Sequence, residues 1–412
     1  MKTINNLKAI NVLLVTAANF PFGGASANVL RLLTTGLVKT NRKVDVLLQR
    51  GKQFGKTDNT DKRTENFEGV SYAYCGYLSR PENYLKKFID SLAGMCIPPI
   101  VLSIKKLKKK IDCVLVYNGS AYENVALLVI CKILRIPIIN YVVEWYEKET
   151  VVTCWWKLPK WWDFLIRMKV INKYFDGLIV TSQFLKKYYT DKSIKSETIL
   201  IQPNLVDISK FENNGKPIPK RVNTVRIGYC GTPTRKDGIN DLLLSFQIVQ
   251  KNFANSELLV VGDSTGRSSL IPKLEETANE LRIFEKVTFT GLVEWNRIPS
   301  LLNSCDVLVL ARPSGRFAEA GFPTKLGEYM ACKKPVVATK VGDIPIYLKD
   351  KENAMLAEPD NPESVASKIC YLIENPEIAK KIGEDGYFWA KNKLDYIKST
   401  QVVGKFLDMF ME

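Results

Sequence analysis

Apolar residues along this chain fall into two kinds of run. Short, β-branched blocks, INVLLVT (10–16), VDVLLQ (44–49), CVLVY (113–117), PIINYVV (137–143) and GLIVTS (177–182), alternate with longer stretches such as NVLRLLTTGLVKT (28–40) and ENVALLVICKIL (123–134). In the longer stretches the apolar positions recur every three or four residues, the period of a helix with one buried face. A second series begins at VRIGYCG (225–231) and continues through DLLLSFQIVQ, SELLVVG, KVTFTG, IPSLLNSC, DVLVLA and KPVVAT. Alternation of this kind predicts α/β architecture: two halves, each a doubly wound parallel sheet wrapped by helices. Between them lies FENNGKPIPKRVNT (211–224), polar and rich in Pro, Gly and Asn, which reads as an interdomain linker with the boundary near 207–224. Neither an internal repeat nor a low-complexity tract interrupts the pattern.

Bulk properties narrow the chemistry. At 412 residues and 46% hydrophobic composition the chain exceeds one core and can fill two. Uninterrupted apolar runs such as VALLVIC (125–131) fall short of the roughly 18–20 residues that cross a bilayer, so no transmembrane helix is expected. The N-terminus superficially resembles a signal peptide, but Asn11 interrupts its apolar run and FPFGGAS follows it, so a first buried strand is expected there. Nine cysteines without a C-x-x-C pair read as free thiols in a reducing cytosol. Histidine is absent, which excludes Ser-His-Asp and Cys-His nucleophiles, His-ligated zinc and imidazole base catalysis. Chemistry is left to carboxylates, Lys and Arg, backbone dipoles or the substrate itself; neither a metal nor a resident cofactor is expected. Residues 1–200 hold 31 Lys and Arg against 16 Asp and Glu, whereas residues 201–412 hold 28 against 27. Nearly all of the net +16 therefore sits in the first half, which suggests that this half meets an anionic surface. The high isoelectric point alone would suit nucleic acid, but no nucleic-acid-binding motif accompanies it.

In open α/β sheets ligands bind beyond the carboxyl ends of the strands, where helix N-termini offer N–H groups. Gly23 and Gly24 follow the first strand and open a helix, for close approach to a phosphate or sugar or for a plain tight turn; they form neither G-x-G-x-x-G nor a P-loop. In CGTPTRKDGINDLL (230–243), Thr232, Arg235 and Lys236 precede another helix, suiting a diphosphate or a solvated basic turn. The strand DVLVLA ends in Arg312-Pro313, a further cation at the same edge. AEAGFPTKLGEYMACKKPVV (318–337) then starts a helix: Gly321 permits an unusual backbone, Pro323 suits the first turn, and Glu328 lies just over one turn inside. A carboxylate there can accept two ribose hydroxyl protons, or serve as a first-turn acid favoured by the helix dipole.

Together with QPNLVDISKF (202–211), VTFTGLV (287–293) and CDVLVLARP (305–313), these segments resemble a GT-B glycosyltransferase of the large retaining family 4, almost end to end. The resemblance implies two Rossmann-like domains facing across a cleft: an acceptor-binding domain over 1–207, a nucleotide-sugar-binding domain over 208–389, and a last helix over 390–412 returning to the first domain. It implies that Glu328 binds the ribose, Lys236 the diphosphate, the amides of Gly321 and Phe322 the donor phosphate or sugar, and Leu292 and Val293 the base. Gly23, Gly24, Thr232, Arg235, Arg312, Glu319, Thr324 and Lys325 complete the implied donor set. Three departures stand out. Ala320 takes the place of the first glutamate of a Glu-seven-Glu pair, with Glu319 one position out of register. Thr232 stands where an arginine usually follows the glycine, so Arg235 or Arg312 would substitute. Glu144 closes the strand that often ends in histidine. In retaining enzymes of this type the leaving diphosphate oxygen is thought to deprotonate the acceptor, so Glu144 and Lys236 would be the residues nearest the chemistry, and a missing histidine is tolerable. Two other readings fit the same residues: a silent sugar-nucleotide-binding partner subunit, and a GT-B nucleotide-sugar epimerase.

The acceptor side carries its own signal. Five of the seven tryptophans lie between Trp145 and Trp162, and TCWWKLPKWWDFLIRMKVINK interleaves Trp155, Trp156, Trp161 and Trp162 with lysine and arginine. A second basic run, KKLKKK, begins at Lys105 and Lys106. Indole rings favour the headgroup region and lysines an anionic surface, so these residues are expected to dock the N-terminal half on the inner face of the cell membrane, towards a lipid-linked acceptor. Solvated helix faces, an acceptor cleft or plain core would use the same residues.

Overall fold

The structure is a computed structural model that describes residues 10–411, apart from 53–61, 118, 214–217, 220–222 and 265–268. The chain forms two compact units, Met1–Pro203 together with Tyr396–Glu412, and Asn204–Asp395.

Unit 1 is built on an eight-stranded sheet in the order β3-β4-β2-β1-β5-β6-β7-β8. Its strands are β1 (Ile10–Thr16), β2 (Arg42–Leu48), β3 (Thr64–Phe67), β4 (Val70–Tyr74), β5 (Cys113–Tyr117), β6 (Ile138–Val142), β7 (Gly177–Val180) and β8 (Ile199–Ile201). All neighbours are parallel except the β3–β4 hairpin at the edge. Helix α1 (Ala25–Lys39) follows β1, and α2 (Tyr84–Leu107), α3 (Ala121–Ile133) and α4 (Leu158–Lys169) follow later strands. The Asn83 side chain caps α2 by accepting from Leu85 N at 2.8 Å, and Ser120 with Glu123 forms a capping box on α3. Contrary to expectation, α2 is long and apolar enough to cross a membrane by length and composition. Lys86, Lys87, Asp90 and the Pro98-Pro99 pair break its apolar run in sequence, yet Asp90, Gly94, Pro98 and Leu102 form a buried stripe that seats it on the unit.

Unit 2 carries a six-stranded parallel sheet ordered β11-β10-β9-β12-β13-β14. Its strands are β9 (Val225–Cys230), β10 (Ser256–Val261), β11 (Val287–Phe289), β12 (Val307–Leu310), β13 (Val336–Thr339) and β14 (Met355–Ala357). Alternate residues of β9 serve opposite cores: Ile227 and Tyr229 pack with α5 (Ile239–Asn252), whereas Cys230 packs with Leu326, Tyr329 and Met330 of α6 (Thr324–Ala331).

Both expected boundaries move. The short helix Ile208–Asn213 carries Ile208 and Phe211 into the unit 2 core, and Val206 N donates to Leu394 O at 3.0 Å after α7 (Pro376–Lys393). Burial of these apolar residues puts the polar stretch 211–224 inside unit 2, although residues 214–217 and 220–222 of it lie outside the described residues. The segment that joins unit 1 is α8 (Tyr396–Asp408), which packs on α1. A Cβ on Gly36 would lie 2.5 Å from Thr400 Oγ1, so glycine is what lets α1 and α8 approach. Arg42, the first residue of β2, ties α8 to the sheet as well, donating to both Asp408 oxygens at 3.0 and 2.8 Å.

Candidate active site

In unit 2 the strand order reverses between β9 and β12, and the crevice at such a switch point is where open α/β sheets hold ligands. Gly231, with φ +147°, ends β9 there. The loop then forms a tight turn over Arg235–Asp237 and closes with Gly238, whose φ is +65°. A Cβ on Gly238 would lie 1.6 Å from Ala311 O, so this turn rests directly on the end of β12.

The side chain at the centre of the crevice is Lys325. Its Nζ makes an ion pair with Asp237 Oδ1 at 2.7 Å and donates to Tyr229 Oη at 3.0 Å, while Tyr229 Oη donates to Thr232 O at 2.8 Å. A Cβ on Gly231 would stand 2.1 Å from Lys325 Cε and 2.5 Å from Nζ, so glycine at 231 makes room for the lysine. Burial pushes the Lys325 ammonium below the ordinary lysine range and Asp237 draws it back up. Burial also raises the Tyr229 phenol well above its ordinary value, so it stays protonated and fit to donate. Of the cations read in the sequence, the structure places Lys325 against Gly231; Arg235 and Lys236 lie in the adjoining turn, Arg235 exposed. Asp237 and Tyr229 were not singled out, because one reads as a turn acid and the other as a strand core residue until Lys325 joins them.

Glu328 lies on α6, partly exposed, at the end of β9. The Cys230 thiol at the end of β9, pushed up to about 12 by burial, lies within electrostatic range of Glu328, Lys325 and Lys210. Lys210 Nζ also stands 4.1 Å over the Trp295 ring, and Trp295 and Leu292 are exposed while Val293 packs on the core. Trp295 was not singled out in the sequence, where it reads as a lone loop indole until Lys210 is seen over its ring.

Around α6 the structure corrects two details. Gly321 has an ordinary φ of −110°, and its N–H donates to Phe317 O at 3.2 Å, closing the short helix Arg316–Ala320, so that amide is committed. Pro323 is the N-cap of α6 rather than its first turn, with Thr324 as the first helical residue. Phe322 packs its ring edge-on against Tyr347 in the core. Ala320 is fully buried and Glu319 exposed, so the one-residue offset persists in three dimensions. Arg312 is buried, donates to Gly321 O at 3.2 Å and adds its charge beside Lys325. Thr232 is exposed.

In unit 1 the strand order reverses between β1 and β5. Gly23 takes φ +152°, which requires glycine, and Gly24 caps α1 with open space where its Cβ would be. Tyr117 ends β5 and hydrogen-bonds Ser26 of α1; its phenol is raised by burial and then by the nearby charge of Glu144. Glu144 follows β6, is exposed, and hydrogen-bonds Tyr146. A small cavity here is lined by Asn140, Tyr141, Glu144, Arg167 and Asn172, and Arg167 Nη1 donates to Gly119 O at 3.0 Å. Glu144 is thus grouped with tyrosines and an arginine.

The basic and tryptophan-rich segments separate. Lys105 is ion-paired with Asp45 at 2.5 Å, and Lys106 is exposed. Trp155 is 76% and Trp162 59% exposed, whereas Trp161 packs on Phe164 with ring centroids 5.4 Å apart. The Trp156 side chain lies outside the described residues.

Residues 224–375 match the family model described as glycosyl transferases group 1. A glycosyltransferase of Methanocaldococcus jannaschii, itself uncharacterized, is 27% identical over 231 residues, which is 56% of this chain and 58% of that relative. The capsular polysaccharide biosynthesis glycosyltransferase CapM of Staphylococcus aureus is 24% identical over 66% of this chain and 69% of its own length. The HepE protein of Anabaena, in complex with UDP-glucose, superposes with a TM-score of 0.67 at 17% identity, covering 97% of this chain and 100% of HepE.

Proposed function

Taking unit 2 as a group 1 glycosyltransferase domain and the whole chain as a GT-B fold, we propose that the protein transfers a sugar from a nucleotide-sugar donor to an acceptor hydroxyl, with retention at the anomeric carbon. The observation that carries the reading is Lys325, held by Asp237 and Tyr229 beneath Gly231 at the switch point of the unit 2 sheet.

An ammonium has three N–H groups, and Asp237 and Tyr229 account for two of those of Lys325, leaving one for a diphosphate oxygen. Glu328 accepts from the ribose hydroxyls and the base lies against Leu292, Val293 and Trp295. The sugar C1–O bond to the diphosphate breaks, the acceptor oxygen bonds to C1 on the same face, and the acceptor proton passes to the leaving phosphate oxygen. Lys325, with Arg312 and Lys236 nearby, stabilises the charge that develops on that oxygen. This route needs no histidine. Tyr117 and Tyr146 are too firmly protonated to act as bases; Tyr146 hydrogen-bonds Glu144 and orients it, and Glu144 in turn hydrogen-bonds the sugar or the acceptor.

The acceptor is a lipid-linked or saccharide hydroxyl in cell-surface polysaccharide or glycolipid assembly, reached from the cytoplasmic side of the membrane. The basic excess in residues 1–200 and the likeness to a capsular polysaccharide enzyme support this. A silent sugar-nucleotide-binding subunit is the second reading, favoured by the buried Ala320 where the family places a carboxylate. The test is a panel of UDP-, GDP-, ADP- and CMP-sugars, followed by thermal stabilisation and by slow release of free nucleotide. Stabilisation and hydrolysis by one donor class are expected. Stabilisation without hydrolysis or transfer would support the silent subunit, and no stabilisation by any donor would remove both readings.

A further inference from the structure

The solvent-facing stripe of α2 is apolar from end to end. Leu85, Phe88, Leu92, Cys96, Ile100 and Leu107 recur at helical spacing and are all exposed, Leu85 by 68%, Phe88 by 61% and Leu107 by 85%. α3 packs beside α2 and repeats the pattern, exposing Tyr122, Val125, Val129 and Ile133. On the far side of α3, Trp155, Trp162 and Ile166 extend the surface. Outer stripes of helices in α/β units are ordinarily polar, and single exposed apolar residues need no explanation, but a continuous face across three helices does.

The charges that α2 and α3 turn to this face have one sign; on α4, Asp163 is half-buried and accepts from Ala121 N at 2.8 Å. Asp90 and Glu123, the carboxylates of α2 and α3, are 2% and 1% exposed; Asp90 accepts from Tyr77 N at 2.9 Å and Glu123 pairs with Arg50. The charged side chains that α2 and α3 present to solvent are lysines: Lys86 and Lys87 at the start of α2, Lys106 at its end with Lys108, Lys109 and Lys110 just beyond, and Lys132 on α3, which is ion-paired with Asp176 and so contributes little. A second copy of the same face would set lysine against lysine, because a two-fold contact joins like patches. An anionic bilayer offers apolar depth and countercharge together.

We infer that the α2–α3 face is a docking surface for an anionic lipid bilayer, with both helices lying in the interface plane. α2 lies on the bilayer and does not cross it, because its inner side is fastened to the unit: Gln49 Nε2 donates to Gly94 O at 3.1 Å and Arg50 Nη2 to Ser91 Oγ at 3.2 Å. The site differs from the one expected from sequence. The tryptophan segment forms a rim of it, and Lys105, occupied by Asp45, contributes little. Helix N-termini lie at the carboxyl edge of the strands, so Tyr84, Tyr122 and Trp155 bring the surface to the edge where Gly24 and Glu144 sit, and a lipid-linked acceptor has a short path there. Docking itself does not depend on the glycosyl-transfer reading, and its test uses no donor.

Cys96 supplies the probe, being exposed while the other eight cysteines are buried or partly buried. In a Cys154→Ser, Cys370→Ser background, Cys96 is labelled with a polarity-sensitive fluorophore and mixed with vesicles of phosphatidylglycerol and phosphatidylcholine. A blue shift with these vesicles is expected, lost in phosphatidylcholine alone and reduced at high salt. Binding of unlabelled protein should fall about tenfold in Phe88→Ser/Leu92→Ser, and by less in Lys86→Gln/Lys87→Gln. These residues are exposed, and unchanged thermal melting confirms folding. Protein that pellets with vesicles while Cys96 stays in water would overturn the inference, as would a shift without lipid that grows with protein concentration, which would indicate self-association.

Discussion

Replacing Lys325 by Met separates what this lysine does for the fold from what it does for a ligand. In the folded protein the substitution strands Asp237, whose side chain is 18% exposed, without its 2.7 Å partner. An exposed pair contributes at most about 1 kcal/mol, and breaking a buried pair costs about 3–5 kcal/mol. At this exposure the loss should be about 2 kcal/mol, or roughly 4–8 °C in Tm for a unit of this size. On the ligand side, a charge-assisted hydrogen bond to phosphate contributes about 1.5–3 kcal/mol, so the nucleoside diphosphate Kd should rise about 10- to 150-fold. The double variant Lys325→Met/Asp237→Asn removes the stranded charge, so most of the lost Tm should return while affinity does not. Differential scanning fluorimetry and titration calorimetry on the parent, both single variants and the double variant give the full cycle. Parental affinity in the double variant would refute the placement of the diphosphate at Lys325; an unchanged Tm in Lys325→Met would refute the ion pair.

Three further outcomes are expected. Glu328→Ala should weaken nucleotide binding by about 1.5–3 kcal/mol with Tm nearly unchanged, and a folded variant with parental affinity would remove Glu328 from the ribose. Glu144→Gln should lower turnover on the true acceptor without changing donor affinity; wild-type turnover would reduce Glu144 to a partner of Tyr146. Because burial lowers the Lys325 pKa, the unfolded chain holds that proton more tightly, and the ligand-free protein should gain stability as pH rises through the folded pKa. Nucleotide affinity should fall over the same window with proton uptake on binding, read by calorimetry in buffers of different ionisation heat; affinity flat across it would place the anion elsewhere.

Much of the fold was legible because buried strands leave continuous apolar blocks. INVLLVT and CVLVY coincide with β1 and β5, and the second series marks five of the six strands of unit 2. The elements that escaped were those whose partners lie elsewhere in the chain. The β3–β4 hairpin is polar on its open edge, and α2 hides behind two prolines and an aspartate that only the folded sheet edge accommodates. Among the candidate residues, Gly23 keeps the positive φ that a loop glycine suggests, whereas Gly321 does not, and Glu328 stands out through its place in the first turns of a helix. The setting of Lys325 is not legible in sequence, because it depends on Gly231 and Asp237, nearly a hundred positions away. The tryptophan cluster serves two environments that sequence could not apportion, its indoles dividing between solvent and an aromatic core around Phe164.

The central claim is that the unit 2 switch point holds a nucleoside diphosphate between Lys325 and Glu328. A crystal structure with whichever nucleotide stabilises the protein most tests it directly. The account predicts ribose hydroxyls within hydrogen-bond distance of the Glu328 carboxylate, a phosphate oxygen on Lys325 Nζ beside Gly231, and the base against Leu292 and Trp295. Nucleotide bound away from the β9–β12 crevice, or in it with Lys325 still turned wholly to Asp237 and Tyr229, would contradict it.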